Sequence, residues 1–248
     1  MKTSFTKRLV AGIVIIVFVL AIVYFIGGKK DNQQSTATTK TSQSTTSSSK
    51  KKTSSLPNVS ASDWELVLVN RDHITKEMNP ELATVNGISV DARIAENVEA
   101  FLAAAQAIDA SEHLISGYRS VSYQEGLFNS YVQQEMAADP SLSESEAETL
   151  VKTYSQPAGA SEHQPGLAID MSTVDALNQS DTTVAKQVQA LAPQYGFVLR
   201  FPKGKSSSTG VDYEDWHFRY VGKKSAEYMT KHNLTLEEYV ALLEERDA

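Results

Sequence analysis

Two short stretches of this chain hold side chains that could do chemistry together. SEHQPGLAID carries His163 and Asp170, and YEDWHFRY carries Glu214 and His217. Two imidazoles and a carboxylate are good ligands for a zinc ion, and a catalytic zinc site characteristically keeps a fourth position for water. Zinc lowers the pKa of that water to near neutrality, and a neighbouring carboxylate can take its proton as it attacks a carbonyl. Glu214 stands three residues before His217, close enough to reach a water on the same ion. The pattern points to hydrolysis at a carbonyl carbon.

Such groups must be held by a fold, and the hydrophobic spacing gives its outline. Ile94, Val98, Phe101, Leu102 and Ala105 recur at helical intervals, so residues 92–108 read as an amphipathic helix. The pair Ser122 and Glu125 reads as a capping box opening a second helix, and Ser143 with Glu146 repeats that signal before a shorter one. Residues 184–195 are expected to be helical, and two more helices begin near Ser225 and Leu236. The apolar run WELVLV (64–69) reads as a strand, as do residues 113–117, 166–171, 197–201 and 217–221. Strands interleaved with helices, without a regular βαβ rhythm, predict an α+β fold with a mainly antiparallel sheet flanked by helices. Leu236, Tyr239, Val240 and Leu243 are the expected inward face of the last helix.

The N-terminal quarter is different. Residues 9–26 are an unbroken apolar run behind Lys2, Lys7 and Arg8, and no A-x-A-like cleavage site follows. Its length sits at the lower end of what spans a bilayer. The expectation is one transmembrane helix, an uncleaved signal anchor over residues 9–27 behind a short cytoplasmic tail (1–8). Residues 28–60 read as a disordered linker, since sixteen of the thirty positions from 31 to 60 are Ser or Thr. A single globular domain is expected over residues 61–248.

Charge divides at the same boundary. Residues 1–60 carry nine Lys/Arg and one acid, whereas 61–248 carry fourteen and twenty-nine; the net charges of +8 and −15 sum to −7. So acidic a domain does not suit nucleic acid, whose binding depends on neutralising phosphates. The absence of cysteine removes disulfides, thiolate catalysis and cysteine zinc sites.

SEHQPGLAID fits S-x-H-x-x-G-x-A-x-D and EDWH fits E-x-W-H. Together with SGYRS and GFVLRFPKGK they resemble the VanY-type zinc D-alanyl carboxypeptidases of the bacterial cell wall, which include L,D-carboxypeptidases and are related to the VanX dipeptidases. The resemblance covers about residues 61–225. It implies His163, Asp170 and His217 as zinc ligands and Glu214 as general base and acid. It implies Arg119 as the group that stabilises the oxyanion or holds the substrate's carboxylate, a task suited to a planar guanidinium. Gln124 and Ser161 are candidate substrate hydrogen-bonders. Asp215 stands where relatives often carry Pro; Trp216 is expected to pack behind the site.

The substrate so implied is a peptidoglycan stem peptide that loses its terminal D-alanine, by D,D or L,D cleavage, with a slight lean to L,D from the SGYRS segment. The enzyme is expected as a monomer, anchored in the membrane on the cell-wall side of a Gram-positive bacterium. The same triad also resembles the Hedgehog-type signalling domain, so a wall- or partner-binding module with a structural zinc stands as the alternative. The presence of Glu214 speaks against it, because a structural site needs no base. His73, His113 and His232 are expected to be structural.

Overall fold

The computed structural model describes residues 56–176 and 182–248. The signal anchor and most of the linker therefore lie outside the described residues. Among the described residues no helix is long and apolar enough to cross a membrane. Residues 56–60, assigned to the linker from composition, belong to the folded part. Leu56 and Val59 pack on the C-terminal cluster, and Arg246 Nη1 and Nη2 donate to the carbonyls of Pro57 at 2.9 Å and Val59 at 2.6 Å. Their two aliphatic side chains, Leu56 and Val59, are outweighed in the 31–60 stretch by its sixteen Ser and Thr.

A two-stranded hairpin comes first, β1 (Leu82–Val85) and β2 (Ile88–Asp91). Its turn is Asn86-Gly87, with φ of +46° and +84°, the pair of positive angles that a type I′ turn requires. This hairpin was missed in the sequence, although Asn-Gly between short apolar segments is its signal. After a 3₁₀ turn follow α1 (Ala95–Gln106) and β3 (His113–Ser116). Then come α2 (Val121–Ala138) and α3 (Glu144–Val151).

The second half holds β4 (Ala168–Ser172), α4 (Thr183–Leu191), β5 (Phe197–Leu199), the one-turn α5 (Ser206–Thr209) and β6 (His217–Tyr220). It closes with α6 (Lys223–His232) and α7 (Leu236–Asp247). The main sheet has the order β3-β4-β6-β5 and every pairing is antiparallel. The expected α+β architecture is therefore present.

Alternation along the strands divides this sheet into two unlike faces. Ile169 and Met171 of β4 and Phe218 of β6 join Phe101, Leu102 and Val98 of α1 in the main core. There Phe101 stacks on Phe197 at 5.1 Å and meets Phe218 edge-on at 5.1 Å. The opposite face carries Ala168, Asp170, His217 and Arg219. In the register Asp170 pairs with His217 and Ala168 with Arg219. Facing positions of an antiparallel pair share one side of the sheet, about 5 Å apart.

Two local expectations are corrected. Residues 64–69 are not a strand: Trp64–Leu66 is a 3₁₀ turn and the remainder has no ladder partner. Leu66 instead packs with α6 and α7, and the carbonyls of Glu65 and Val67 accept from Arg219 Nη2, each at 2.9 Å. A guanidinium thus replaces a neighbouring strand. The cap of α2 is Ser120, whose Oγ accepts from Tyr123 N at 3.1 Å, and not Ser122. The capping box at Ser143 and Glu146 is present as expected, and a further one at Thr235 and Glu238 opens α7.

Candidate metal centre and active site

Two strands and two loops converge on the polar face of the sheet. Asp170 lies mid-β4 and His217 begins β6, so their proximity follows from the strand register. His163 sits in the loop before β4, and that loop is tied to the end of β3 twice. His163 Nδ1 bonds the carbonyl of Gly117 at 2.7 Å, and Arg119 N donates to the carbonyl of His163 at 3.1 Å. A proton on Nδ1 leaves the lone pair of Nε2 free, as a metal ligand requires.

The hairpin braces both loops from behind. Tyr118 N donates to Ser89 O at 2.6 Å and Asp91 N to Gly166 O at 3.0 Å. Gly166, inside the first motif, has φ +71°, and a Cβ there would stand 2.7 Å from Asp91 N. Glycine at this point lets the chain pass the hairpin and turn His163 inward.

His163 Nε2 lies 3.5 Å from Asp170 Oδ2, and His217 Nδ1 lies 3.5 Å from Asp170 Oδ1. One donor atom from each of the three falls within 4.8 Å of the others. All three residues are buried, and His163 Nε2 and Asp170 Oδ1 have no hydrogen-bond partner. Buried polar atoms are nearly always satisfied. Orphans that converge from an imidazole and a carboxylate fit a metal ion of the zinc type, which takes nitrogen and oxygen ligands.

Glu214 Oε2 is 3.3 Å from His217 Nδ1, beside the same point. Burial pushes the Glu214 carboxyl up, against the pull of His217. Burial likewise raises Asp170, opposed by His217 and Arg119. Burial, with Arg119 and His217 nearby, holds His163 well below the ordinary histidine range, so it is neutral and able to ligate. Burial alone would lower His217, but Glu162 and Glu214 outweigh it and push this imidazole up to about 9. A metal ion held by this imidazole would take the place of that proton.

Arg119 Nη2 stands 3.8 Å from Asp170 Oδ2. Its Nη1 donates to Gln124 Oε1 at 2.9 Å, while Gln124 Nε2 donates to the carbonyl of Gln156 at 2.6 Å. Ser161 is buried, and its Oγ accepts from His163 N at 3.4 Å. All seven residues singled out in the sequence are therefore gathered at one site. Gln124 and Ser161 spend their visible hydrogen bonds inside the chain, on Arg119 and His163.

Sequence reasoning missed a group behind His217. Glu162 is buried, and its Oε1 accepts from Arg200 Nε at 2.8 Å and Arg219 Nη1 at 3.0 Å. Burial opposes ionisation of Glu162, but the two guanidinium groups overcome it and hold the carboxyl far below the usual range. Arg200 also forks onto Glu237 of α7, at 2.9 and 2.5 Å. The available signal was an arginine between Phe218 and Tyr220, on the same strand face as His217.

A buried His–Asp–His group with a carboxylate beside it, on an antiparallel sheet, has the make-up of a metal-dependent hydrolase site. Comparison with known proteins narrows that class. Residues 87–223 match the family model of VanY, D-alanyl-D-alanine carboxypeptidase, and the chain belongs to that family. A D-alanyl-D-alanine carboxypeptidase of Enterococcus faecalis is 33% identical over 180 residues, which cover 72% of this chain and 66% of that protein. The chain thus spans just under two thirds of that relative's length.

Among solved structures, the vancomycin resistance D,D-pentapeptidase VanY in complex with Zn(II) superposes with a TM-score of 0.65 at 32% identity, covering 72% of this chain and 99% of that one. The LdcB LD-carboxypeptidase gives a TM-score of 0.56 at 31% identity, covering 71% and 86%. Both kinds of carboxypeptidase named in these comparisons share the fold.

Proposed function

We propose that this protein is a zinc-dependent carboxypeptidase that removes the C-terminal D-alanine from peptidoglycan stem peptides. The observation that carries the proposal is the convergence of unpartnered, buried donor atoms of His163 and Asp170 with His217, next to Glu214. His163, Asp170 and His217 would hold the ion. Zinc, when bound, supplies a water acidic enough to attack at neutral pH and polarises the scissile carbonyl.

The rest falls to the chain's own side chains. Glu214 takes the proton of the attacking water and passes it to the leaving amine, so that an amide and water become a carboxylic acid and free D-alanine. Its raised pKa suits it to both transfers. Arg119, held by Gln124, presents a guanidinium to the substrate's terminal carboxylate or to the oxyanion. Arg200 and Arg219 are taken up by Glu162 and Glu237, which makes Arg119 the natural anchor for an anionic chain end. The apolar run at residues 9–26 would anchor the enzyme in the membrane, with the Ser/Thr-rich segment carrying the domain to the wall side.

The test is incubation of the zinc-loaded protein with muropeptides ending in tetrapeptide and pentapeptide, read by mass spectrometry. Release of D-alanine from the tetrapeptide defines an L,D-enzyme, and release from the pentapeptide alone a D,D-enzyme. Either activity should vanish on chelation and in Glu214→Gln. No release from either substrate by protein shown to hold zinc would discard the peptidase reading in favour of a binding module.

A further inference from the structure

Glu162 uses only one of its two carboxylate oxygens on the arginines behind it. Oε1 accepts from both Arg200 and Arg219. Oε2 is buried and without a hydrogen-bond partner, and it lies 3.8 Å from Nε2 of His217, which is also buried and unpartnered. Two orphan atoms, one an acceptor and one able to donate, face each other across a gap slightly longer than a hydrogen bond. The other ring nitrogen, Nδ1, faces Asp170 and Glu214.

We infer that Glu162 is the positioning residue for His217: its Oε2 accepts the Nε2 proton, which fixes the ring's orientation and commits Nδ1 to the metal. This rests on the metal-centre reading above. Histidine ligands generally donate their second N–H to a carboxylate or carbonyl, which sets the tautomer and raises ligand basicity. His163 meets that need with the Gly117 carbonyl at 2.7 Å, and the group placed to meet it for His217 is Glu162, 3.8 Å away. Hydrogen bonds from Arg200 Nε and Arg219 Nη1 to Oε1 pin the Glu162 carboxylate and leave Oε2 turned toward His217. Arg200 is gripped in turn by Glu237 of α7, which lies outside the family-matched residues 87–223 and bears on the stability of this buried ion group.

The measurement is zinc affinity of the full chain, by competition with a chromophoric chelator, for the wild type, Glu162→Gln and Glu237→Gln. Each protein's melting temperature is recorded with the metal removed. Glu162→Gln should weaken zinc binding about tenfold to a hundredfold. Glu237→Gln, which disturbs Arg200 without touching His217, should lower the metal-free melting temperature and leave zinc affinity within about twofold. Equal zinc affinity in wild type and Glu162→Gln overturns the inference, whereas failure of the wild type to bind zinc overturns the metal reading itself.

Should Glu162→Gln not fold, nitrogen NMR of the zinc-loaded wild type decides. His217 must carry its proton on Nε2 with Nδ1 on the metal, and the reverse assignment excludes a role for Glu162.

Discussion

Arg119 and Gln124 are joined end to end: Nη1 of the arginine donates to Oε1 of the glutamine at 2.9 Å. Gln124 sits in the first turn of α2, and its amide nitrogen is fixed in turn by the carbonyl of Gln156. The guanidinium is thereby held at the mouth of the His–Asp–His group by a side chain that need not touch substrate.

Replacing Gln124 with alanine should therefore act through Arg119. Truncation removes one charge-assisted hydrogen bond, a class that contributes roughly 1.5–3 kcal/mol. If Arg119 meets substrate and transition state alike, KM rises about tenfold with kcat retained; if it meets the oxyanion alone, kcat falls instead. Steady-state kinetics on the released D-alanine separate these. Unchanged kinetics would show that Arg119 stays in place without Gln124.

The helix that presents Gln124 offers a second test. Ser120 caps α2, so Ser120→Ala should cost about 1 kcal/mol. Ser122, which the S-x-x-E pattern favours, is not the cap, and Ser122→Ala should stay within about 0.5 kcal/mol. Denaturant unfolding of the two variants checks the order, and equal losses would place the start of the helix elsewhere.

How much of this was legible in the sequence depended on the range of the interaction. His163, Asp170, Glu214 and His217 fall in two short motifs, and strand register brings Asp170 opposite His217. Four of the six strands, and every helix but the one-turn α5, followed from periodicity and capping. The run at 64–69 did not, because a guanidinium on β6 satisfies its carbonyls and no local pattern announces that. Glu162 was passed over for the same reason. Its meaning lies in Arg200 and Arg219, 38 and 57 residues away.

Glu112 supplies a pH test away from the metal. It is buried, and its Oε2 has no hydrogen-bond partner. Burial, aided by Asp109, pushes its carboxyl from the ordinary 4.5 up to about 7, although His113 pulls the other way. The folded state therefore holds this proton more tightly than the unfolded chain. The stability it contributes is present below pH 4.5, is lost as pH rises toward about 7, and changes little above that. Glu112→Gln keeps the shape without the ionisation. The variant should gain on the wild type as pH rises from 5 to 7.5, read as the difference between their melting temperatures. A difference constant across that range would mean that Glu112 does not titrate there.

Gly166 ties the hairpin to the metal loop, and its replacement should be costly in both stability and zinc binding. At φ +71° an L side chain loses about 1–2 kcal/mol. The added Cβ would also press on the backbone of Asp91 at 2.7 Å, which cannot yield as a side-chain tip could. Relief requires the loop to lift off β2, breaking the bond from Asp91 N to Gly166 O and carrying His163 away from Asp170. Gly166→Ala should thus lose roughly 2–4 kcal/mol, a value typical of strain at a special backbone angle combined with a lost buried contact. Zinc affinity should fall with it. Alanine at Gly204 is the control: its φ is +76°, but nothing lies within 4 Å of the added Cβ. That variant should show the backbone penalty alone and bind zinc as the wild type does. If both variants keep full zinc affinity, the hairpin does not set the position of His163.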